Sequence, residues 1–370
     1  HRRHTLLTMT LKPLAGQTMA RRRLSKALAN GQLPQVILMT GPEGVGKQRL
    51  ALWLAQLVLC EAPGEEPCGR CRACHLVLGL THADLHWIVP IPRPKAGEPD
   101  KQVEEAAESI AELLEERRKA PLYSPPDGMS AHGMATARLV ARRASLTPVE
   151  GRKKVFIIGE AERLVAQESS PEAANALLKL FEEPPADSYF VLTCADPGKL
   201  LPTIRSRAVP LRIGRLSTAE VREFLSKELE PAPAGAELTR LVARANGCIG
   251  AALSDTGDGS RNRKAAAAWL EAALSGAGPA AERALAQAPW SARGEFTDLL
   301  DAVAETLGDA ARLASGVEGA APVPAALQGR AATGLLAAQA LVSEARDAAQ
   351  GNVNPQLLLA VLGGDLAEVL

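Results

Sequence analysis

The sequence is organised around residues 41–48, which read Gly41-Pro42-Glu43-Gly44-Val45-Gly46-Lys47-Gln48. A strand-like apolar run, Val36–Thr40, precedes this loop, and the segment Leu50–Leu59 that follows it has the apolar periodicity of a helix. A strand, a glycine-rich loop and a helix in this order are typical of a phosphate-binding loop, whose pattern is G-x-x-x-x-G-K-[ST]. The order of elements therefore predicts an α/β fold with a nucleotide site.

The glycines of the loop and its lysine are the candidate nucleotide-binding residues. Backbone N–H groups around Gly41, Gly44 and Gly46 can turn towards phosphate oxygens, and Lys47 adds a positive charge at the N-terminus of the helix. Gln48 stands where the pattern requires Ser or Thr, whose short hydroxyl ligates Mg²⁺. The longer amide is a poor substitute for that hydroxyl. The loop therefore predicts an ATPase fold that has lost catalysis.

Composition restricts the kinds of partner. Lys plus Arg and Asp plus Glu number 42 each, so the chain has no net charge to favour free-standing nucleic-acid binding. Aromatic residues make up 3%, and Ala and Leu are abundant, which favours helical packing in the C-terminal half. No apolar run reaches the roughly 18 residues of a membrane helix, and the basic start before Met9 lacks a secretory core. We therefore expect a cytoplasmic protein without a membrane partner.

Four cysteines cluster shortly after the predicted helix: Cys60, Cys68, Cys71 and Cys74. Two C-x-x-C steps share Cys71, and turn-forming glycines and a proline lie between the cysteines, so the spacing suits a tetrahedral Cys₄ zinc site within 60–75. Three alternatives stay open, namely haem attachment through Cys71–His75, a disulfide, and four unligated thiols. A site with four protein ligands leaves no open position, so the zinc would be structural.

The chain is predicted to have three parts. Residues 1–215 alternate strand and helix signals, which indicates a parallel sheet covered by helices. Residues 216–255 form a small helical segment, and 256–370 form an Ala/Leu-rich helical bundle with a weakly structured hinge at Asp255–Asn262. The predicted strands are Val36–Thr40, Leu85–Val89, Val155–Ile158, Tyr189–Thr193 and Val209–Ile213.

A proline-rich and charged stretch, about residues 90–126, separates the second and third predicted strands. Its middle part, Lys101–Lys119, predicts a solvated helix with opposite charges at i,i+4 spacing. We interpret the stretch as a surface insertion of unassigned role.

Several motifs occur in a fixed order along most of the chain. Besides the loop and the cysteine cluster, they are Gly16-Gln17, Ser145-Leu146-Thr147-Pro148, Asn175-Ala176-Leu177-Leu178-Lys179-Leu180-Phe181-Glu182-Glu183-Pro184-Pro185, Ile204-Arg205-Ser206-Arg207 and Asn352-Val353-Asn354-Pro355-Gln356-Leu357-Leu358-Leu359. Together they resemble the bacterial DNA polymerase III clamp-loader family of AAA+ proteins. The resemblance implies an AAA+ phosphate-loop module, a helical lid at 216–255 and a C-terminal helical collar.

Three departures from the family's motor subunits bear on ATP hydrolysis. The family's third strand ends in Asp-Glu, whereas this chain has Gly159-Glu160, so the acid that holds Mg²⁺ is missing. Gln48 removes the other protein ligand of the metal, and Gly250 stands where motor subunits place a phosphate-sensing arginine. The resemblance is therefore best to the family's non-hydrolysing stator, delta-prime. Whether ATP still binds at Lys47 stays open, because Lys47 can instead bond loop carbonyls or pair with Glu160.

Two retained residues have roles that the resemblance implies. Arg207 matches the arginine that the family projects into the nucleotide site of the neighbouring subunit, which makes it a candidate trans arginine finger. Such a guanidinium stabilises charge on the γ-phosphoryl group. Thr193 matches a phosphate-sensing position. The alternatives are a surface ion pair for Arg207 and an ordinary strand residue for Thr193.

The resemblance implies a subunit of a hetero-pentameric ring. Its partners would be the delta and gamma/tau subunits, and through them the sliding clamp and primer-template DNA. It would serve DNA replication without being an ATPase by itself. Two other hypotheses are an ATP-hydrolysing gamma/tau-like motor and a stand-alone zinc- and nucleotide-binding module of DNA metabolism.

Overall fold

Five short apolar runs form one parallel sheet in the computed structural model, which describes residues 11–120, 130–164, 172–253, 258–286, 293–316, 323–349 and 353–370. The strands are β1 (Val36–Thr40), β2 (Leu85–Ile88), β3 (Lys154–Ile158), β4 (Ser188–Cys194) and β5 (Val209–Arg212). All five strand predictions are confirmed to within one residue at each end. Their spatial order is β2-β3-β4-β1-β5, and every neighbouring pair is parallel.

The inner strands β1, β3 and β4 are buried on both faces, which explains why they are almost continuously apolar. All five residues of β3 are buried, and Phe156 of β3 stacks on Phe190 of β4 with ring centroids 4.9 Å apart. The register pairs Met39 with Thr193 and Ile158 with Leu192, so the carboxyl ends of β1, β4 and β3 lie side by side. In open parallel sheets, ligands bind at this edge.

Helices make up most of the rest of the described chain. In chain order they are α1 (Thr18–Ala29), α2 (Lys47–Leu59), α3 (Arg72–Leu78), α4 (Pro99–Lys119), α5 (Met134–Ala144), α6 (Glu172–Glu182), α7 (Pro202–Arg205), α8 (Thr218–Glu228), α9 (Gly235–Ala245), α10 (Ile249–Leu253), α11 (Asp258–Ser275), α12 (Ala277–Leu285), α13 (Arg293–Ala314), α14 (Ala332–Ala349) and α15 (Pro355–Val369). Short 3₁₀ turns occur at Ala161–Leu164 and Ala325–Leu327.

The chain divides into two compact units. The first holds the sheet and consists of the described residues within 11–120, 130–221 and 247–250. The second consists of 222–246 and the described residues of 251–370. The predicted three-part division at 215 and 255 stays a prediction.

The predicted insertion helix is present as α4, but it is not solvated on all sides. Val103, Ala106 and Ile110 are buried, and the Arg117 guanidinium lies 4.9 Å from the ring centre of Trp87. Of the expected i,i+4 ion pairs, the structure shows the pair of Lys119 with Glu115. The other ion pairs that the structure describes at this helix have i,i+3 spacing. One face of the helix therefore packs on the first unit. Residues 121–126 of the predicted insertion lie outside the described part of the chain.

The second unit is helical, as its composition predicts. Its core is a cluster of buried side chains from α11, α13, α14 and α15, among them Trp269, Phe296 and Leu335. The predicted hinge is wrong over Asp258–Asn262, where α11 has already begun, and its first residues, 255–257, lie outside the described chain. Within the described residues, no helix combines the length and apolar character needed to span a membrane.

The predicted fold class is confirmed. The chain has a parallel α/β sheet with the glycine-rich loop after its first strand, and helices make up the rest of the described residues.

Candidate nucleotide and metal sites

The glycine-rich loop leaves the carboxyl end of β1, which lies between β4 and β5 in the sheet. The Gly41 N–H donates to the Cys194 carbonyl at 3.3 Å, which ties the loop to β4. Gly41 has a φ of 156°, and a Cβ there would lie 2.4 Å from the Ile213 carbonyl oxygen. Only glycine fits this position, because the backbone passes so close to the chain that follows β5.

Lys47 is turned back onto its own loop. Its ammonium donates to the carbonyls of Gly41 and Pro42, each at 2.8 Å, and the residue is 9% exposed. Burial lowers the pKa of Lys47, while the carboxylates of Glu162 and Glu43 oppose that shift. Sequence analysis left open whether Lys47 bonds the loop carbonyls or pairs with Glu160. In the isolated chain it bonds the loop carbonyls.

Gln48 and Gly159 occupy adjoining space. A Cβ built on Gly159 would lie 3.2 Å from the Cδ and Nε2 atoms of Gln48 and 3.3 Å from its Oε1. A side chain at position 159 would therefore begin in tight contact with the Gln48 amide, which would have to give way slightly. The two departures that the sequence identifies separately lie next to each other in the structure.

Glu160 and Thr193 are coupled through the backbone. The Glu160 N–H donates to Thr193 Oγ1 at 3.1 Å, and Glu160 has a φ of 52°. The carboxylate of Glu160 pairs with Arg163 at 2.7 Å, and burial raises the pKa of Glu160. Thr193 therefore fixes the turn after β3 and is more than an ordinary strand residue, whether or not it senses a phosphate.

His132 is a buried residue at this site that sequence analysis missed. Its Nε2 lies 2.6 Å from the Gly159 carbonyl, and burial lowers the pKa of His132 to about 4. The ring is therefore neutral at physiological pH, and it must carry its proton on Nε2 to donate to a carbonyl. No motif surrounds His132 in the sequence, so only tertiary structure could identify it.

Gly250 lies directly against the loop. Its N–H donates to the Gly44 carbonyl at 2.9 Å, and a Cβ at position 250 would lie 2.5 Å from the Gly44 Cα. No side chain fits there without moving backbone. The position that the family resemblance assigns to a sensing arginine is instead a backbone contact.

The contact between Gln48 and Gly159 can be tested by a double-mutant cycle. Gly159→Asp alone is expected to lower the free energy of unfolding by about 1–3 kcal/mol, because the new side chain overpacks the Gln48 amide. In a Gln48→Ser background the cost should fall by about 1 kcal/mol or more, which is the size of coupling expected for residues in contact. Urea unfolding of the four proteins measures the coupling.

Gly214→Asp is the matched control, because a Cβ at Gly214 meets no atom within 4 Å. Its effect should be the same in both backgrounds. If Gly159→Asp lowered the free energy of unfolding equally in the wild-type and Gln48→Ser backgrounds, the contact between positions 48 and 159 would be refuted.

Arg207, the candidate trans finger, is held within its own chain. Its Nε donates to Glu182 Oε1 at 2.7 Å, its NH2 group contacts the same carboxylate, and its NH1 group donates to the Thr203 carbonyl at 2.8 Å. Glu182 ends α6, in the Glu-Glu-Pro-Pro motif. The structure therefore joins two motifs that are 25 residues apart in sequence. In the isolated chain, Arg207 therefore forms an ion pair, which is the alternative to the arginine-finger role.

The four clustered cysteines converge on one point. Their sulfur atoms all lie within 4.8 Å of one another. The Cys60–Cys71 and Cys68–Cys74 sulfur separations are 3.9 Å each. Four sulfurs at about 2.3 Å from a tetrahedral Zn²⁺ would be about 3.8 Å apart. The thiol positions therefore fit zinc.

Backbone donors around the sulfurs also suit thiolates. The Cys68 N–H donates to Cys60 Sγ and the Cys74 N–H to Cys71 Sγ, each at 3.4 Å. Backbone N–H groups of Arg70 and Cys71 lower the pKa of Cys68 to about 6, whereas burial raises the pKa values of Cys60 and Cys74 when no metal is bound. Such donors stabilise negative charge on metal-bound sulfur.

The predicted residues thus form two groups in the first unit. Gly41, Gly44, Gly46, Lys47 and Thr193 meet at the carboxyl edge of the sheet, and Cys60, Cys68, Cys71 and Cys74 form the knuckle. Arg207 belongs to neither group and lies against Glu182.

Comparison with known proteins identifies the family of this chain. Residues 16–217 match the family described as DNA polymerase III, delta subunit. The chain belongs to this family. Curated relatives include the DNA polymerase III subunit delta' of Pseudomonas aeruginosa, which is 31% identical over 62% of this chain and 57% of that protein. Subunit delta' of Bacillus subtilis is 29% identical over 55% of this chain and 50% of that protein.

The similarity extends to another subunit type. DNA polymerase III subunit gamma/tau of Mycobacterium tuberculosis is 30% identical over 59% of this chain and 31% of that protein. The chain spans about half the length, or less, of these curated relatives. The family resemblance, close to delta', is confirmed.

Proposed function

We propose that the chain is a stator subunit of a bacterial DNA polymerase III clamp loader, in the manner of delta-prime. It would act in the cytoplasm during DNA replication and would not hydrolyse ATP itself. Family membership and the delta' relatives support the assignment. The observation that carries the stator role is the Gln48 amide packed against Gly159.

That contact bears on Mg²⁺ chemistry. Phosphoryl transfer needs a metal ion that bridges the β- and γ-phosphates, held by a loop Ser/Thr and an acid after the third strand. Here an amide replaces the hydroxyl, and the same amide would crowd the first side-chain atom of an acid at position 159. Gly250 on Gly44 adds a contact that an arginine side chain would break. ATP binding without hydrolysis remains compatible with Lys47.

The proposed assembly places this chain beside motor subunits. In a hetero-pentameric ring with delta and gamma/tau, Arg207 would leave Glu182 and reach the γ-phosphate bound by its neighbour. The sliding clamp and primer-template DNA would be contacted through the complex.

Exposed apolar residues on α15 support the collar role. Asn354 caps this helix through its side chain, which accepts hydrogen bonds from the N–H groups of Gln356 and Leu357. Leu357 and Val361 are 61% and 53% exposed on one face of the helix. Apolar groups this exposed suit packing against a sister subunit. Asn352 of the same motif lies outside the described residues.

Zinc is proposed as a structural ion. Cys60, Cys68, Cys71 and Cys74 would hold it, and its role would be to fix the turn between α2 and α3. With four protein ligands, it would supply no catalytic position.

The test is Mg²⁺-ATP binding and hydrolysis by the purified, zinc-replete chain. We expect no turnover above that of a Lys47→Ala variant, because the metal has lost both protein ligands. Equilibrium titration with ATP measures binding separately from a phosphate-release assay. Turnover that disappears in Lys47→Ala would instead support the motor alternative, with Glu160 polarising the attacking water.

A further inference from the structure

A pocket lies between the N-terminal segment, α1, α2 and the cysteine knuckle, away from the glycine-rich loop. Its volume is about 300 Å³, at the lower end of the size of small-ligand pockets. The polar side chains that line it include Arg21, Arg49, Gln56 and Glu66. No part of the proposed function uses this pocket.

Two arginines bring positive charge to the pocket. The Nε atoms of Arg21 and Arg49 are both buried, and neither has a hydrogen-bond partner among the residues that the structure describes. Arg49 contacts the Lys12 carbonyl through its NH2 group. Burial lowers the pKa of Arg49 to about 10, and within the described part of the chain Arg49 forms no ion pair with a carboxylate. A buried guanidinium without an acid is costly, and an anion would relieve that cost.

The acid that lines the pocket is already engaged. Glu66 accepts from the Trp53 indole N–H at 2.7 Å through Oε2, and its Oε1 lies 3.5 Å from Arg21. Among the side chains that line the pocket, two guanidinium groups stand against one carboxylate. The guanidinium of Arg49, which does not share Glu66, suits a ligand with a single negative charge.

The rest of the wall is apolar. Leu52, Trp53 and Val77 contribute to it from α2 and α3, and Leu11 and Leu14 from the N-terminal segment. A ligand there would place an apolar body against these side chains and its anionic end against the arginines. Carboxylates match the planar donor fork of arginine.

We propose that this pocket binds a small organic carboxylate with an apolar body, of about the size of an aromatic amino acid. Arg49 and Arg21 would hold the carboxylate, while Trp53 and Leu52 would contact the apolar group. The proposal is independent of ATP chemistry and of the stator role.

The probe is N-acetyl-L-phenylalanine, titrated into the full chain, with N-acetyl-L-phenylalaninamide as the uncharged control of the same shape. The readout is the NMR signal of the Trp53 indole N–H, assigned by its disappearance in Trp53→Phe. Because this N–H bonds Glu66 beside the pocket, ligand entry should shift it. We expect saturable shifts with the acid and at least about tenfold weaker binding of the amide, since the carboxylate–arginine bond is charge-assisted.

Variants locate the site. Arg49→Gln should weaken binding of the acid by about tenfold or more, and Arg49→Lys should weaken it less because the charge is kept. Arg22→Gln, an exposed residue on the same helix as Arg21, is the matched control and should not change binding. If Arg49→Gln does not fold, Arg21→Gln at the pocket edge takes its place. Equal binding of acid and amide, no shift at saturating concentration, or full affinity in the arginine variants would overturn the proposal.

Discussion

With the chain in its proposed place beside a motor subunit, Arg207→Ala is expected to abolish ATP hydrolysis at the adjoining motor site of a reconstituted loader. An arginine supplied in trans contributes about 10³–10⁵ to the rate of phosphoryl transfer. The isolated chain should lose little stability, because the Arg207–Glu182 pair is partly exposed and such pairs contribute about 0–1 kcal/mol. The variant therefore separates catalysis from folding.

Phosphate release in the first turnover, with primed DNA present, measures the effect. The amount of phosphate released per complex should fall by the fraction that the adjoining motor site contributes. Steady-state ATP turnover should fall as well. Arg207→Lys should fail almost as badly, since the ammonium cannot reproduce the planar fork. Arg205→Ala, an exposed neighbour on α7, is the control and should behave as wild type. Unchanged release in Arg207→Ala would leave Arg207 as a surface ion pair.

Cys71→Ser is expected to remove zinc from the chain and to destabilise the first unit. Zinc binding in small structural sites provides about 10–16 kcal/mol of apparent binding free energy at neutral pH, so losing one thiolate should cost several kcal/mol. Serine preserves the capping geometry at the start of α3, where the Cys71 sulfur accepts from the Cys74 N–H. The loss can therefore be attributed to the metal.

Metal analysis and urea unfolding, with and without a chelator, measure the two effects. Cys248→Ala removes a buried cysteine outside the knuckle, so it should retain zinc and cost about 1 kcal/mol. Chelation should bring wild type to the stability of Cys71→Ser. Equal zinc content in Cys71→Ser and Cys248→Ala would exclude the proposed site.

The elements that sequence analysis predicted correctly are those whose signals are local. Each strand is a short apolar run bounded by turn residues, and the glycine-rich loop carries its own spacing. The cysteine cluster also lies within fifteen residues, counted from Cys60 to Cys74. Local patterns of this kind can be recognised without knowing which distant segments the chain packs against.

The contacts that sequence analysis missed depend on tertiary structure. Gln48 and Gly159 meet because α2 and the end of β3 share one edge of the sheet, and His132 reaches that edge from beyond the insertion helix. The Arg207–Glu182 pair joins α6 to the turn before β5. The start of α11 at Asp258 was missed because a polar, glycine-containing run has little helical propensity of its own.

The Gly250–Gly44 contact has a consequence for mutational paths. An arginine introduced at position 250 collides with loop backbone, and an aspartate introduced at 159 crowds the Gln48 amide. Each substitution towards the motor pattern is therefore expected to cost stability when it is made first and alone, which is a case of epistasis. A mutational route from this chain to the motor pattern must shift the Gln48 amide and move the Gly44 backbone before the acid and the arginine can be accommodated.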